Sequence, residues 1–332
     1  MSETLNEIIR KIPKVELHLH YSGAVPLRYL KSVSSDVEYE LLVQGLKKLA
    51  NGVDYHDVFK YFSHVYKILN TYEKIENGLI AIATEQLQDN VVYLEVRTGL
   101  KDLGKGTEEY LCALLRGIKR CPAAITVKLM LSLRRNTPVK EAKDIVGLAI
   151  KYRKEGVVGI DVSGDSTLVG IEKIIPAIEL AKKDCLLLSL HLGESREEID
   201  TPAKKIAQAK LLEIIKPDRI GHGVFLSQQS VAWLLQHPNI PIEVCPSSSV
   251  LAGMIEHHSK HPGLGYHLNH KHLIVVGTDD PLLFQTTLTK EYLKLLEHSL
   301  SLDQVKQIIA NSFRFAFATN DLKQKNANRC NL

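Results

Sequence analysis

Four segments that lie far apart along the chain carry side chains able to bind a metal ion or to move a proton. They are His18-Leu19-His20, His191-Leu192-Gly193-Glu194, the histidine His222 in Arg-Ile-Gly-His-Gly, and Asp279-Asp280 before Pro281. Three imidazoles and one carboxylate suit zinc, which accepts nitrogen and oxygen ligands and keeps a position for water. Zinc lowers the pKa of its water to about 7 and so supplies hydroxide at neutral pH. The residue types therefore indicate metal-assisted hydrolysis.

Each segment alone has a simpler interpretation. A His-x-His pair occurs by chance in many proteins, and a single buried histidine is usually a hydrogen-bonded core residue. Two aspartates before a proline most often form a turn or a helix N-cap. The acid at Glu194, which precedes Ser195-Arg196-Glu197, would alone be read as a surface or capping carboxylate. The prediction of a shared site therefore depends on a fold that brings the four segments together.

Eight short apolar runs rich in β-branched residues recur along the chain. They are Val15 to His20, Val91 to Thr98, Ile125 to Leu133, Val157 to Gly164, Cys185 to Leu192, Arg219 to Phe225, Ile240 to Cys245 and Leu273 to Thr278. Most are apolar at successive positions, as is typical of parallel strands covered on both faces. Amphipathic segments such as 140–154, 168–183 and 201–216 lie between them. This alternation predicts an α/β fold of the (β/α)8 TIM-barrel type.

The alternative of a doubly wound sheet predicts a glycine-rich phosphate turn, and no G-x-G-x-x-G segment is present. A (β/α)8 barrel typically needs about 250 residues, which leaves roughly 80 of the 332. Helical patterns over 38–49, 55–69 and 73–88 account for most of them. We therefore expect one domain over 1–332, with extra helices inserted after strand 1, at about 21–90, and covering the barrel mouth.

The predicted barrel would gather the four segments at one place. Barrel enzymes carry their active sites at the carboxyl ends of the strands, and the segments stand at the ends of strands one, five, six and eight. Residues two apart in a strand face the same side, so His18 and His20 would face one point. Two-metal barrels commonly bridge their ions with a modified lysine at strand four. Residues 157–164 contain no lysine, which favours a single metal.

These segments resemble the adenosine deaminase family. The matching stretches are VELHLHYSGA (15–24), GVVGIDVSGD (156–165), HLGE (191–194), RIGHG (219–223), EVCPSSS (243–249) and GTDDPLLFQTTLTKEY (277–292), in the order of that family. The resemblance implies one zinc per chain, with the ligands His18, His20, His191 and Asp279. It also implies that Glu194 protonates the purine ring nitrogen beside the attacked carbon, while His222 orients the water and helps to move its proton.

The resemblance further implies where the purine substrate is held. Asp280 would hold the water and bond a second ring nitrogen, and the backbone N–H of Gly164 would meet a third. His20 and Ser22 would also line the substrate. The family usually has Leu-Asp after His-x-His, and its aspartate accepts a hydrogen bond from the ribose 5′-hydroxyl. Here Tyr21 and Ser22 stand at those positions, and serine would bind the hydroxyl less well but repel a 5′-phosphate less.

Three functions follow from the resemblance. We expect hydrolytic deamination of an adenine-type nucleoside, adenosine above all, to an inosine-type product and ammonia. The alternative within the enzymes is a deaminase of AMP or N6-methyl-AMP. A catalytically silent relative that binds nucleosides is a third reading. The presence of every expected ligand and acid-base residue argues against it.

Composition bounds the partners. A formal charge of +4 over 332 residues does not indicate nucleic acid, and no window is apolar enough to predict a membrane span. Five scattered cysteines and an N-terminus without an apolar core predict a cytoplasmic protein. Six of the 14 histidines fall within 257–272, which we interpret as a helix and loop with a solvated face. Nothing in the sequence indicates the oligomeric state.

Overall fold

The computed structural model describes residues 4–49, 55–165, 171–297 and 300–318. Eight strands form one sheet in the order of the chain, and each pairs in parallel with the next. They are β1 Lys14–His20, β2 Val91–Thr98, β3 Thr126–Arg134, β4 Val157–Ser163, β5 Leu187–Leu192, β6 Arg219–His222, β7 Ile242–Val244 and β8 Ile274–Val276. Just beyond β8, the N–H of Asp279 donates to His18 O at 2.8 Å, and the N–H of His20 donates to Asp279 O at 2.9 Å. These bonds join the last strand to the first, and the predicted (β/α)8 barrel is confirmed.

Helices cover the sheet and the mouth. They are α1 Leu5–Lys11, α2 Tyr21–Ala24, α3 Leu27–Val33, α4 Asp36–Leu49, α5 Tyr55–Ile68, α6 Tyr72–Gln88, α7 Thr107–Arg120, α8 Val139–Lys151, α9 Ile175–Lys183, α10 Pro202–Ile215, α11 Gln228–Gln236, α12 Pro246–Leu251, α13 Pro262–His270, α14 Leu288–Leu296 and α15 Leu302–Phe315. Short 3₁₀ turns occur at Arg153–Glu155, Ile171–Ile174, Arg196–Ile199 and His258–Lys260. None of these helices combines the length and the apolar character that crossing a membrane needs.

The sixth to eighth strands are shorter than the sequence predicts. β6 ends at His222 because His222 and Gly223 both have positive φ angles, 63° and 62°, which extended strands do not adopt. β7 begins after Pro241, which has no N–H to donate to a neighbouring strand. It ends at Val244 because the next residue, Cys245, is the N-cap residue of α12. Strands that stop early leave their carboxyl ends as irregular backbone, and this backbone carries the site.

The predicted helical insertion lies between β1 and β2 as α2 to α6. Its first turn is fixed to the barrel mouth by Tyr21, which is buried and donates a 2.7 Å hydrogen bond from Oη to Ile75 O in α6. Gly78 makes room for this ring, because a Cβ there would lie 2.4 Å from the Tyr21 oxygen. The insertion therefore runs directly from the end of β1 across the mouth. The interpretation of 1–332 as one domain stays a prediction.

The barrel interior is polar as well as apolar. Leucine, isoleucine and valine side chains of the strands are buried against the helices. Inside, fully buried charged side chains from β2, β4, β6 and β7 pair with one another, namely Glu95, Arg97, Asp161, Arg219 and Glu243. Charges this deep are tolerated only when they are paired. Their pairing leads directly to the site at the strand ends.

Candidate metal centre and active site

Four side chains from three strand ends meet at one point of the barrel mouth. The Nε2 atoms of His20 and His191 lie 3.1 Å apart. Oδ1 of Asp279 lies 3.4 Å from Nε2 of His20 and 3.6 Å from Nε2 of His18. The four residues that the resemblance names as ligands are thus brought together, although they span more than 260 positions of the chain.

The chemistry of this group fits a single zinc ion. Tetrahedral bonds of about 2.0–2.1 Å place ligand atoms about 3.3–3.4 Å apart, close to the three separations found here. Nε2 of His18 is buried and has no hydrogen-bond partner among the described residues. Two imidazole nitrogens that face each other, a third without a partner and a carboxylate oxygen are an arrangement that a cation satisfies.

Glycines around the ligands make space for them. A Cβ at Gly277 would lie 2.5 Å from Cβ of His18, and a Cβ at Gly221 would lie 3.1 Å from Cε1 of the same residue. Asp279 itself has a φ of 59°, which is unusual for a residue other than glycine and is typical of strained functional positions. The glycines of the matching stretches therefore serve close packing around the imidazole.

Two buried carboxylates hold the other nitrogens of the ligand histidines. Nδ1 of His18 lies 2.6 Å from Oε2 of Glu243, and Nδ1 of His191 lies 3.1 Å from Oδ1 of Asp161. Such contacts fix the tautomer that leaves Nε2 free for a metal. Burial alone would raise the pKa of Asp161, but the charges of His191 and Arg97 outweigh it and hold that pKa well below its usual range.

Arg97 and Ser248 complete this support. Arg97 pairs through Nη1 with Asp161 at 2.9 Å and through Nη2 with Glu243 at 2.5 Å, so one guanidinium joins both carboxylates. The hydroxyl of Ser248 donates to Oδ2 of Asp279 at 2.6 Å. Each expected ligand except His20 therefore has a described side chain that orients it.

Glu194 lies beside His222 in a buried environment. Its Oε1 is 3.6 Å from Nε2 of His222, and the residue is only 9% exposed. Burial, and then the negative charges of Asp279 and Glu198, raise the pKa of Glu194 to about 8. Burial also lowers the pKa of His222 well below its usual value. At neutral pH, a protonated carboxyl group thus lies next to a neutral imidazole.

The loop that carries Glu194 is held by Glu198. The Glu198 carboxylate accepts the backbone N–H groups of Gly193 at 3.0 Å, Glu194 at 2.9 Å and Ser195 at 3.3 Å. Arg135 lies 3.5 Å from the same carboxylate and donates a 2.7 Å bond to the carbonyl oxygen of His191. The acid is therefore positioned by an anchored turn rather than by a free loop end.

Asp280 points into the same space from the other side. Burial and the negative charges of Asp279 and Glu194 raise its pKa well above the ordinary value. Its Oδ1 has no hydrogen-bond partner among the described residues. Gly23 lies directly behind it, since a Cβ on Gly23 would stand 1.7 Å from Oδ1. The absence of a side chain at Gly23 therefore makes room for the Asp280 carboxyl group at the cavity.

A cavity of about 710 Å³ opens over these groups. Of the predicted site residues, those that line it are His20, Ser22, Gly164, His191, Glu194, Asp279 and Asp280. His18 and His222 lie fully buried beneath. Gly164 has a φ of 92°, which suits glycine, and it stands at the end of β4. The sequence-predicted residues thus share one site.

Several residues of the site were not identified from the sequence. Asp161 and Glu243 each interrupt an apolar strand, and a buried carboxylate in such a strand is the signal that points to them. Arg97 forms ion pairs with both of these carboxylates. Tyr66 of α5 donates a 3.1 Å hydrogen bond to Oγ of Ser22, and no periodicity in the insertion indicates this contact.

The histidine-rich segment 257–272 lies outside the site. Nε2 of His258 lies 2.6 Å from Oε2 of Glu297, and the ring of His257 is 4.0 Å from that of His258. These three residues form a group that could hold a metal, and it is partly exposed. The carboxylate of this group lies outside the segment 257–272, since Glu297 stands at the end of α14.

The chain matches the sequence model of the family described as adenosine deaminase over residues 13–331. It is 29% identical to an adenosine deaminase of Clostridium botulinum (95% of this chain, 97% of that one) and 28% identical to N6-methyl-AMP deaminase-L of Xenopus laevis (96% and 92%). Among solved structures, it resembles Arabidopsis ADAL complexed with IMP, with a TM-score of 0.87, 27% identity and 98% of both chains covered. The Arabidopsis N6-mAMP deaminase MAPDA gives a TM-score of 0.86 at 27% identity, covering 98% of this chain and 99% of that one.

Proposed function

The chain belongs to the adenosine deaminase family of hydrolytic deaminases, and from this premise we propose that it removes the 6-amino group of an adenine-type nucleoside or nucleotide with the help of one zinc ion. The observation that carries the proposal is the meeting of three imidazoles and a carboxylate beside the buried acid Glu194. The products would be the inosine-type purine and ammonia.

The zinc would be held by the Nε2 atoms of His18, His20 and His191 and by the Asp279 carboxylate. When bound, it would supply a Lewis acid that brings the pKa of water to about 7. The support from Glu243 and Asp161 keeps the ring nitrogens of His18 and His191 directed at the ion.

The protein's own groups would manage the protons. Attack on the ring carbon forms a C–O bond and moves electron density onto the adjacent ring nitrogen, which then needs a proton. Glu194 holds its proton at neutral pH and is the donor. The neutral imidazole of His222 accepts the proton of the attacking water. The C–N bond then breaks, and that proton leaves with the amino group as ammonia. The proton of the new hydroxyl group returns to Glu194 as the inosine-type carbonyl forms.

The remaining cavity residues would orient the purine. Asp280 lines the cavity and would bind the water and a ring nitrogen. The backbone N–H of Gly164 would bind another ring nitrogen, while His20 and Ser22 would flank the substrate. Phe62 and Tyr66 of the helical insertion line the same cavity and would limit the access of bulk water to a bound purine, which would strengthen each of these polar contacts.

The relatives support a purine substrate but differ in its 5′ group. The Clostridium protein is named an adenosine deaminase, the Xenopus protein an N6-methyl-AMP deaminase, and solved Arabidopsis structures hold IMP and GMP. The sequence-based preference for adenosine over AMP or N6-methyl-AMP stays a prediction. A cytoplasmic location also stays a proposal, supported by the described cysteines, which are all free.

The proposal is tested with purified, zinc-loaded protein. Adenosine, AMP, N6-methyl-AMP and free adenine are supplied separately, and release of ammonia or methylamine is measured with the ultraviolet change of the purine ring. We expect turnover of at least one nucleoside or nucleotide. Zinc-loaded protein that binds these purines without turning any over would instead support the silent relative.

A further inference from the structure

The active-site cavity is lined by cations of two kinds. Arg97 and Arg135 are bound to carboxylates and backbone oxygens and serve the structure. Lys101, in the segment after β2, and Arg134, at the end of β3, also line the cavity. Among the described residues, neither of these two is paired with a carboxylate. The cavity therefore contains positive charge that the protein itself does not neutralise.

Lys101 is held over the helical insertion. Its Nζ lies 2.9 Å from the centroid of the Tyr66 ring, a cation–π contact that takes the place of an ion pair. Burial, and then the positive charge of Arg134, lower the pKa of Lys101 to about 8. The lysine is thus partly desolvated and repelled by a second cation. An anion placed between Lys101 and Arg134 would offset both the burial of the lysine charge and the repulsion between the two cations.

Arg134 and Tyr66 extend this group towards the end of β1. Arg134 interacts with the Tyr66 side chain, and the Tyr66 hydroxyl donates to Oγ of Ser22. The neutral Ser22 lies two residues after His20, so no carboxylate stands at this position. Three strand ends and one helix of the insertion therefore meet around a polar, cationic corner of the same cavity that holds the metal ligands.

Besides the acidic residues of the metal centre, two further carboxylates line the cavity and oppose an anion there. Glu141 is on the exposed start of α8, and Asp165 follows β4. Asp165 is engaged in an interaction of its own. Glu141 is solvated, and its effect is therefore screened. The partly buried Lys101 is screened less and would dominate the interaction with a bound group.

We propose that the substrate carries a 5′-phosphate, bound by Lys101 and Arg134 beside the Tyr66 hydroxyl, and that the protein is a deaminase of adenine nucleoside 5′-monophosphates. This inference rests on the proposed function and chooses, between the substrates that the sequence leaves open, the nucleotide over adenosine. A purine whose ring lies at Glu194 and Asp280 extends its ribose and phosphate outward along the cavity. A phosphate ester carries nearly two negative charges at neutral pH, which matches the two cations.

The test compares the ratio of kcat/KM for AMP to that for adenosine in the native protein, in two variants and in a control variant. We expect the ratio to exceed one in the native protein and to fall by about tenfold or more in Lys101→Met and in Arg134→Met, since a bond to a charged group is lost. Lys105→Met is the matched control. Lys105 is an exposed lysine of the same segment that does not line the cavity, and its ratio should stay that of the native protein.

The outcomes separate the two proposals. Turnover of adenosine with a ratio below one, or a ratio that neither substitution changes, would overturn the phosphate site and leave the deaminase intact. Absence of turnover with every purine would overturn the deaminase itself. Adenosine supplied with inorganic phosphate is a further arm. If free phosphate accelerates adenosine to the rate of AMP, the cations bind a separate anion and the nucleotide assignment is wrong.

Discussion

Nδ1 of His18 lies 2.6 Å from Oε2 of Glu243, and neither side chain is exposed to solvent. The same carboxylate pairs with Arg97 and with Arg219 at 2.7 Å. Burial alone would raise the pKa of Glu243. The positive charges of these two arginines outweigh burial and hold that pKa well below its usual range. A predicted metal ligand is therefore attached to an ionic network that crosses the barrel.

The first prediction concerns this attachment. Glu243→Gln removes the charge that orients His18 and should weaken zinc binding about 10- to 100-fold, the usual effect of losing such a partner. It also leaves two buried guanidinium groups underpaired, which lowers the free energy of unfolding by about 3–5 kcal/mol. Zinc affinity is measured by competition with a chromogenic chelator, and stability by urea denaturation.

Glu95→Gln is the matched control for that change. Glu95 is equally buried and pairs with Arg219, but no ligand histidine contacts it. It should lower stability and leave zinc affinity nearly unchanged. Equal zinc affinities of the two variants would show that Glu243 stabilises the barrel without orienting the ligand.

The sequence predicted the barrel and the converging segments because both depend on local patterns. Apolar runs alternating with helical stretches predict strands and helices, and strand ends in a parallel barrel meet at one edge. Asp161 and Glu243 were not identified, since their roles depend on pairing across strands β2, β4 and β7. Tyr66 and Lys101 were missed for a similar reason: the path of the insertion over the mouth is set by tertiary packing, which periodicity does not encode.

The second prediction concerns the number of zinc ions. His191→Ala removes one of the converging nitrogens, and the purified protein should lose its zinc and its activity. His258→Ala removes a member of the surface group with His257 and Glu297 and should retain one zinc per chain. Elemental analysis of both variants measures the stoichiometry. Two zinc ions in the native protein, one of them lost in His258→Ala, would contradict the single site.

The third prediction concerns the proton donor. Glu194→Gln keeps the shape of the side chain but cannot donate the acidic proton, so kcat should fall about 10²- to 10⁴-fold while zinc remains bound. Glu197→Gln is the matched control. Glu197 is exposed in the same turn, three residues before Asp200, and this variant should retain native kcat. Steady-state ammonia release and elemental analysis are the measurements. Near-native kcat in Glu194→Gln would exclude this residue as the acid.

The fourth prediction is a pH dependence. Glu194 acts as an acid only while protonated, and its raised pKa means that activity is present at lower pH and is lost as pH rises through that pKa. The descending limb of kcat/KM should lie at or below about pH 8, because zinc at Asp279 offsets the charge of that carboxylate. Glu198→Gln keeps one oxygen, which can still accept the backbone N–H groups of Glu194 and Ser195, but removes a charge that raises this pKa. Its limb should move to lower pH, whereas an unmoved limb would assign the titration to another group.

The last prediction concerns the residue after His20 and Tyr21. Ser22→Asp places a carboxylate next to the Tyr66 hydroxyl, within the cationic corner of the cavity. It would accept a bond from a ribose 5′-hydroxyl and repel a 5′-phosphate, and juxtaposed like charges cost several kcal/mol. The kcat/KM ratio of AMP to adenosine should therefore fall by about tenfold or more. Ser22→Asn, of the same size but neutral, should change it much less, and equal ratios in the two variants would place the 5′ end of the substrate away from Ser22.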